Sequence, residues 1–371
     1  MFLESRRLLI MKNRFFKIFS VCAAVSLLLA AAGCSRLSKT QLQVLLPEGK
    51  ESARIAISDF SLDTTVAAVN HTVSFSVPSN PAVAGTVSVG TLSTQFVPDG
   101  SSLTIDLRER RPKLTSDKPG SVNDRMQVNK DFEMRSASDF SKKVQSLRAD
   151  ESMPAEKRDS LIAAESVAFQ KLVVDEYLRR AKEEKDNYIG ADAVVKLRGR
   201  IPNQQLDSLI STLAPAVLET GLVQEVKNNV NALMNTEEGM HFKDFTIQDG
   251  DKEIHLSDYV GKGKFVLVDF WSSWSRPSLA MMSYVRQVYD RFEGDHLMVL
   301  GIGAWDLPEN TKAMAGKLDL PWTCLHDGTP GARTYGIYEL PNIILFSPDG
   351  EILRRDLRGE DIVKAVERYL Q

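Results

Sequence analysis

Apolar and polar positions divide this chain into three stretches with different periods. Between residues 39 and 108, short runs rich in Val, Ile, Thr and Phe recur at close intervals: Gln41–Leu46, Ala53–Phe60, Val66–Val77, Val83–Val89, Ser93–Val97 and Leu103–Leu107. Turn-forming clusters separate them, Pro47-Glu-Gly49, Pro78-Ser-Asn-Pro81 and Pro98-Asp-Gly100. That spacing predicts a small all-β sandwich or barrel. From 110 to 236 the period changes. Leu161, Ile162, Val167, Phe169, Leu172, Val173, Tyr177 and Leu178 recur near helical spacing, and the charged segment Arg179–Asn187 reads as the same helix continuing into solvent. Further helices fit Ala191–Leu197, Gln204–Leu213 and Ala216–Leu233, with Pro202 and Pro215 suited to helix starts.

The last stretch alternates strands with helices. Phe242–Leu256 has a hairpin pattern, and Phe265–Phe270 is a continuous apolar run broken only by Asp269, as expected of a central strand buried on both faces. Pro277–Phe292 follows as a helix, His296–Ile302 as a second buried strand and Glu309–Leu318 as another helix. Asn342–Phe346 and Glu351–Arg355 flank the turn Ser347-Pro-Asp-Gly350, and Glu360–Leu370 closes the chain as an amphipathic helix. This order predicts an α/β sandwich around a mixed sheet.

Composition changes the picture little. At 371 residues, 43% hydrophobic and 26% charged, the chain fits two or three globular domains. The N-terminus changes it more. Lys12, Arg14 and Lys17 precede an apolar run from Val21 to Ala32, which ends in Ala31-Ala-Gly-Cys34. This resembles a bacterial lipoprotein signal whose lipobox places a lipid on Cys34, with Met11 as the true start. The apolar run is short for a membrane span, which needs about 20 residues. Loss of residues 1–33 leaves 41 basic and 48 acidic side chains, a net charge near −7 against −3 for the whole chain. That balance argues against nucleic acid as a partner. With Cys22 in the signal and Cys34 lipidated, Cys324 is the only free thiol and no internal disulfide can form.

The motif that carries most information is Phe265-Val-Leu-Val-Asp-Phe-Trp-Ser-Ser-Trp-Ser-Arg-Pro-Ser278. It resembles the active-site strand and turn of the thioredoxin superfamily, nearest to its TlpA/ResA-like and AhpC/TSA (redoxin) members. These read Val-Asp-Phe-Trp-Ala-Ser-Trp-Cys-Gly-Pro-Cys. Here Ser275 and Ser278 stand at the two cysteine positions and Arg276 at the glycine. Thiol–disulfide exchange needs a thiolate to attack and a second thiol to resolve the mixed disulfide, and a hydroxyl does neither. Ser275 reads as a helix cap rather than a nucleophile, since the turn supplies Arg276 where a base is required. The resemblance gives further assignments. Asp269 matches the buried acid of the redox members and, without a client thiol, is expected to hydrogen-bond Ser278 or a water. Pro341, after Leu340, matches the cis-proline facing the active-site turn, where the preceding backbone of relatives pairs with extended substrate. Trp271, Trp274, Arg276, Pro277, Leu340 and Pro341 would together form a peptide groove. The β-rich stretch resembles a β-domain of unknown function that precedes such modules in lipoproteins of Gram-negative gut anaerobes.

The remaining candidates are weaker. Cys324 and His326 would share a face of a strand, but two ligands make no metal site and a small buried thiol is the plainer reading. The other histidines are scattered, Gly301-Ile-Gly303 is too short for a dinucleotide loop, and Asn70-His-Thr72 matches a glycosylation sequon by chance. The expected organisation is a signal over 1–33, a β-sandwich domain over 34–109, a helical region over 110–237 and a thioredoxin-like domain over 238–371. The residues imply no cofactor. The expected function is a periplasm-facing lipoprotein of the outer membrane that binds an extended peptide or envelope protein without catalysis. The competing expectation is a thiol–disulfide oxidoreductase or antioxidant protein working through Cys324 or a partner's thiol.

Overall fold

The computed structural model describes residues 38–370 apart from 250, 251 and 295. The signal and Cys34 therefore lie outside the described residues.

Strict alternation builds the N-terminal sandwich. Strand β1 (Lys39–Leu45) turns Leu42 and Val44 inward, and β2 (Ser52–Ile57) turns Ala53, Ile55 and Ile57 inward. With β3 (Leu62–Ala67), β4 (Thr72–Pro78), β5 (Gly85–Val89), β6 (Leu92–Phe96), β7 (Ser102–Asp106) and β8 (Lys113–Ser116) they form two four-stranded sheets, β4-β1-β7-β8 and β3-β2-β5-β6. Their inner faces share one core that includes Val73, Val87, Phe96, Leu103 and Ile105. The run Val66–Val77 is two strands in different sheets rather than one. Asn70 and His71 between them take φ of 50° and 56°, a left-handed turn that Asn and His tolerate better than most residues. The eighth strand lies past residue 109 and pairs with β7.

The helical region opens with a long antiparallel pair, α1 (Val122–Ala149) and α2 (Ala155–Glu183), in contact through the stacked rings of Phe140 and Phe169, 4.6 Å apart. The charged end of α2 does not run into solvent as expected. Arg180 is 2% exposed, paired with Glu176 on its own helix and Glu133 on α1, and its guanidinium faces the rings of Phe132 and Tyr177. A buried arginine is tolerable only with partners of this kind. Helices α3 (Tyr188–Leu197), α4 (Asn203–Ile210), α5 (Pro215–Leu218) and α6 (Gly221–Met234) pack around a second core that includes Val194, Leu197, Leu206, Val223 and Val226. The segment expected as one helix over Ala216–Leu233 breaks at Thr220, whose hydroxyl accepts the Val223 N–H and starts α6.

In the C-terminal domain a hairpin, β9 (Thr246–Asp249) and β10 (Lys252–His255), leads into β11 (Phe265–Trp271). The sheet order is β13-β12-β11-β14-β15, with β12 (Leu297–Gly303) and β13 (Thr323–Leu325) parallel to β11, and β14 (Asn342–Phe346) and β15 (Ile352–Arg354) in antiparallel pairings. Helices α7 (Arg276–Phe292) and α10 (Glu360–Leu370) cover one face, over Leu267, Val299 and Ile343. Phe245, Ala332, Tyr335 and Ile337, with α9 (Thr329–Thr334), cover the other, over Val266, Val268 and Phe270. Helix α8 (Pro308–Lys317) follows β12. This is an α/β thioredoxin-like fold, a mixed sheet flanked by helices, preceded by an all-β sandwich and a helical insert, as the sequence predicts.

Helix α6 lies directly against this domain. Asn229 Nδ2 donates to the Gly336 carbonyl at 2.6 Å, and Arg355 Nη1 donates to the carbonyl and hydroxyl of Thr236 at 2.6 and 2.8 Å. Gly336 has φ of 61°, and a Cβ there would lie 2.7 Å from the Asn229 carbonyl oxygen, a backbone atom that cannot swing aside. Gly336→Ala is expected to cost about 1–3 kcal/mol in denaturant unfolding, from both the left-handed backbone and the clash. An unchanged midpoint would show that the contact between α6 and this loop is loose.

Candidate functional site

The candidate site lies at the carboxyl end of β11. The strand is apolar on both faces, so the chain emerges at its end with few options. Trp271 and Ser272 are buried, Ser273 is half-buried, and Trp274 reaches solvent. Ser273 N donates to Asp306 Oδ2 at 2.7 Å, which ties the turn to the loop after β12. The indole N–H of Trp274 donates to the Trp305 carbonyl at 3.0 Å, so a side chain 63% exposed is nonetheless held in one place. Trp305 takes φ of 54° and its N–H donates to Thr329 Oγ1 at 3.1 Å.

Ser275 is the N-cap of α7. Its Oγ accepts the Ser278 N–H at 3.3 Å, and Arg276 and Pro277 follow as the first exposed helical residues. A hydroxyl at this point satisfies one orphan N–H of the first turn, a contribution of about 1 kcal/mol. Ser278 is completely buried. Across from the turn, Leu340–Pro341 is a cis peptide, as expected. Pro341 is buried, and Arg358 donates to its carbonyl. Leu340 is half-buried against the core, and its main-chain N–H and C=O make no hydrogen bond with any described residue.

Two expectations for this site need correction. Trp271 is no groove wall. It follows Leu267 and Asp269 on the face of β11 covered by α7 and α10, where period-two alternation places it in the core beside Trp322 and Ile343. Nor does Asp269 bond Ser278. Both side chains are fully buried, and neither the carboxylate nor the hydroxyl has a partner among the described residues.

Beneath the turn the sheet register aligns Asp269 with two further residues in the core. Asp269, Gly301 and Cys324 occupy one row across β11, β12 and β13. Gly301 leaves its neighbours no room to spare: a Cβ there would lie 3.1 Å from Trp322 Nε1, 3.2 Å from Cys324 Sγ and 3.4 Å from Trp271 Nε1. Neither indole N–H has a partner among the described residues. Burial pushes Asp269 up to about 7, against the opposing pull of Arg358. Burial, and secondarily the charge of Asp269, pushes the Cys324 thiol up to about 12. That is the opposite of an activated cysteine, whose thiolate is stabilised by a helix terminus or a neighbouring cation. His326 lies past the end of β13, with Nδ1 2.7 Å from Thr311 Oγ1. Among the described residues no group of three or more His, Cys, Asp or Glu is placed to hold a metal ion.

The structure thus leaves Trp274, Arg276 and Pro277 exposed and Leu340 half-buried at the end of the sheet where β11 and β14 pair, while Pro341, Trp271, Asp269 and Ser278 are buried and Cys324 is partly so. Sequence reasoning missed Trp305, Tyr338 and Arg358. Tyr338 precedes Pro341 by three residues and could have been found from that proximity. Trp305 and Arg358 carry no local signal.

An AhpC/TSA family model matches residues 239–355. Over 135 residues, 36% of this chain, the sequence is 28% identical to the thiol-disulfide oxidoreductase ResA of Bacillus thuringiensis subsp. konkukian, covering 76% of that protein. It is 25% identical over 120 residues to ResA of Bacillus subtilis, covering 32% of this chain and 65% of that one. Among solved structures, the thioredoxin domain of a thiol-disulfide oxidoreductase from Bacteroides vulgatus is 26% identical, with 36% of this chain and 99% of that one covered and a TM-score of 0.33. The C-terminal domain has a thioredoxin-like fold, and the similarity to these proteins is confined to it.

The titration of Asp269 has a testable sign. The group ionises near 4 when unfolded and at about 7 when folded, so the folded state holds more protons between those values. Stability is therefore full below about pH 4 and falls as pH rises through 7. Asp269→Asn is expected to be more stable than the parent at pH 8, by about 1–3 kcal/mol, with the difference closing towards pH 4. Chemical denaturation at both pH values checks this. A difference independent of pH would mean that Asp269 is not a buried, titrating acid.

Proposed function

We propose that this TlpA/ResA-like, thioredoxin-fold protein is a non-catalytic binding module of the cell envelope, which holds an extended peptide or envelope protein beside the Ser275–Ser278 turn. One observation carries the reading. The positions of the redox thiols hold a capping hydroxyl and a sealed one, while Trp274 is held outward and the Leu340 main chain next to cis-Pro341 makes no hydrogen bond with any described residue. An unpaired extended backbone accepts a strand by main-chain hydrogen bonds, which need no thiol. The relatives are named thiol-disulfide oxidoreductases, a reaction that requires two exchangeable thiols. This chain has neither at the helix terminus where a thiolate would be stabilised. A residual activity through Cys324 runs against the elevation of its thiol to about 12.

Attachment to the membrane is part of the same proposal. The Ala31-Ala-Gly-Cys34 segment supports a lipid on Cys34, with the body facing the periplasm from the outer membrane.

Disulfide reduction by the parent, the Ser275→Cys/Ser278→Cys double variant and Cys324→Ala separates the readings. The parent is expected to be inert, the double variant active, and Cys324→Ala indistinguishable from the parent. A peptide ligand of the parent is expected to survive Cys324→Ala and to be lost on Trp274→Ala. Reduction by the parent that vanishes in Cys324→Ala would replace the binding reading with a thiol enzyme.

A further inference from the structure

We infer that the cleft between α6 and the thioredoxin-like domain is a specificity subsite, which takes an acidic side chain of the bound peptide. The inference rests on the binding reading above and adds what the peptide must carry.

The cleft is about 800 Å³ and is lined from the helical side by Arg198, Glu225 and Asn229, and from the thioredoxin-like side by Trp305, Arg333 and Tyr338. The thioredoxin-like wall is tied to the turn surface. Trp305 is the residue whose carbonyl holds Trp274, and Tyr338 lies two residues before Leu340. A peptide paired along Leu340 would advance about 3.3 Å per residue and send alternate side chains to the same side, so one that runs towards Trp305 would project a side chain into this space.

The charges in the cleft are unbalanced. The side chain of Arg333 is exposed and has no hydrogen bond or ion pair with any described residue. Arg198 lies over the Tyr338 ring at 5.1 Å and is mostly buried; among the described residues its Nε has no partner and its ion pair is a 3.8 Å contact with exposed Glu225. Two guanidiniums against one carboxylate make a positive spot on a chain of net negative charge. A half-buried guanidinium with unused donors suits a planar carboxylate, which it meets with two parallel hydrogen bonds.

The test pans a phage-displayed library of random dodecapeptides on the full-length chain in detergent micelles, in parallel with Trp274→Ala, Arg333→Glu and Arg333→Gln. Thermal melts check that each variant folds, which the unbonded, exposed Arg333 side chain should allow. Peptides that require Trp274 are expected to be enriched in Asp and Glu. A fluorescein-labelled peptide from that set is expected to bind about tenfold more weakly to both Arg333 variants. Trp274-dependent peptides without acidic enrichment, or with equal affinity for the Arg333 variants, would overturn the subsite and leave the groove standing. Absence of any Trp274-dependent peptide would overturn both.

Discussion

The burial of β11 on both faces is the constraint on which the rest of the C-terminal domain depends. A strand with no solvent face must be paired on both edges and covered on both sides, and β12, β14, α7, α10 and the Phe245–Tyr335 layer supply this. The strand ends where that cover ends. Its last residue, Trp271, is fully buried, and three residues later Trp274 stands in solvent. The reversal from strand to helix therefore takes place within one short turn, and α7 begins with the exposed pair Arg276 and Pro277. Every proposed feature of the groove follows from this point: the cap at Ser275, the outward Trp274, and the facing cis-proline loop.

Serine at both turn positions suits this architecture, because the physical demands of the turn are not redox demands. A helix N-terminus needs an acceptor, and Ser275 provides one. The second position needs only a small side chain beneath the turn, and Ser278 is small and sealed. What has not been adjusted is the polar row below. Asp269 still carries a buried carboxylate with no partner among the described residues, although the sequence around it could in principle have become apolar. Asp269 also works against the Cys324 thiol, since burial and this charge together hold it protonated.

Much of the C-terminal fold was legible in the sequence because its signals are local. An unbroken β-branched run bounded by turns reads directly as a doubly buried strand, and Asn342–Phe346 and Glu360–Leu370 have the bounds the pattern gives. The errors share a different cause. The alternation of Val66–Val77 hides a left-handed turn at Asn70 and His71, and a Thr-capped break in Ala216–Leu233 is invisible to periodicity alone. Arg180 reads as a solvated charge until Glu133 arrives from another helix. Trp271 reads as a groove residue by its nearness to the motif, whereas the pleat decides its direction. The candidate subsite was out of reach for the same reason, since Arg198, Asn229, Trp305 and Arg333 come together only when the helical region meets the thioredoxin-like domain.

The seam at Gly336 has a consequence for how such a chain can change over generations. The loop tolerates no side chain at this position because a backbone carbonyl of α6 occupies the space, and Arg355 reaches back across the same boundary to Thr236. A thioredoxin-like module taken from another parent would bring a loop shaped for a different neighbour. Recombination at the boundary between the helical and thioredoxin-like regions would thus break the cleft even where both halves fold. The two regions form a single heritable unit, and the interdomain linker that looks like the natural place to exchange parts is the place where exchange is least tolerated.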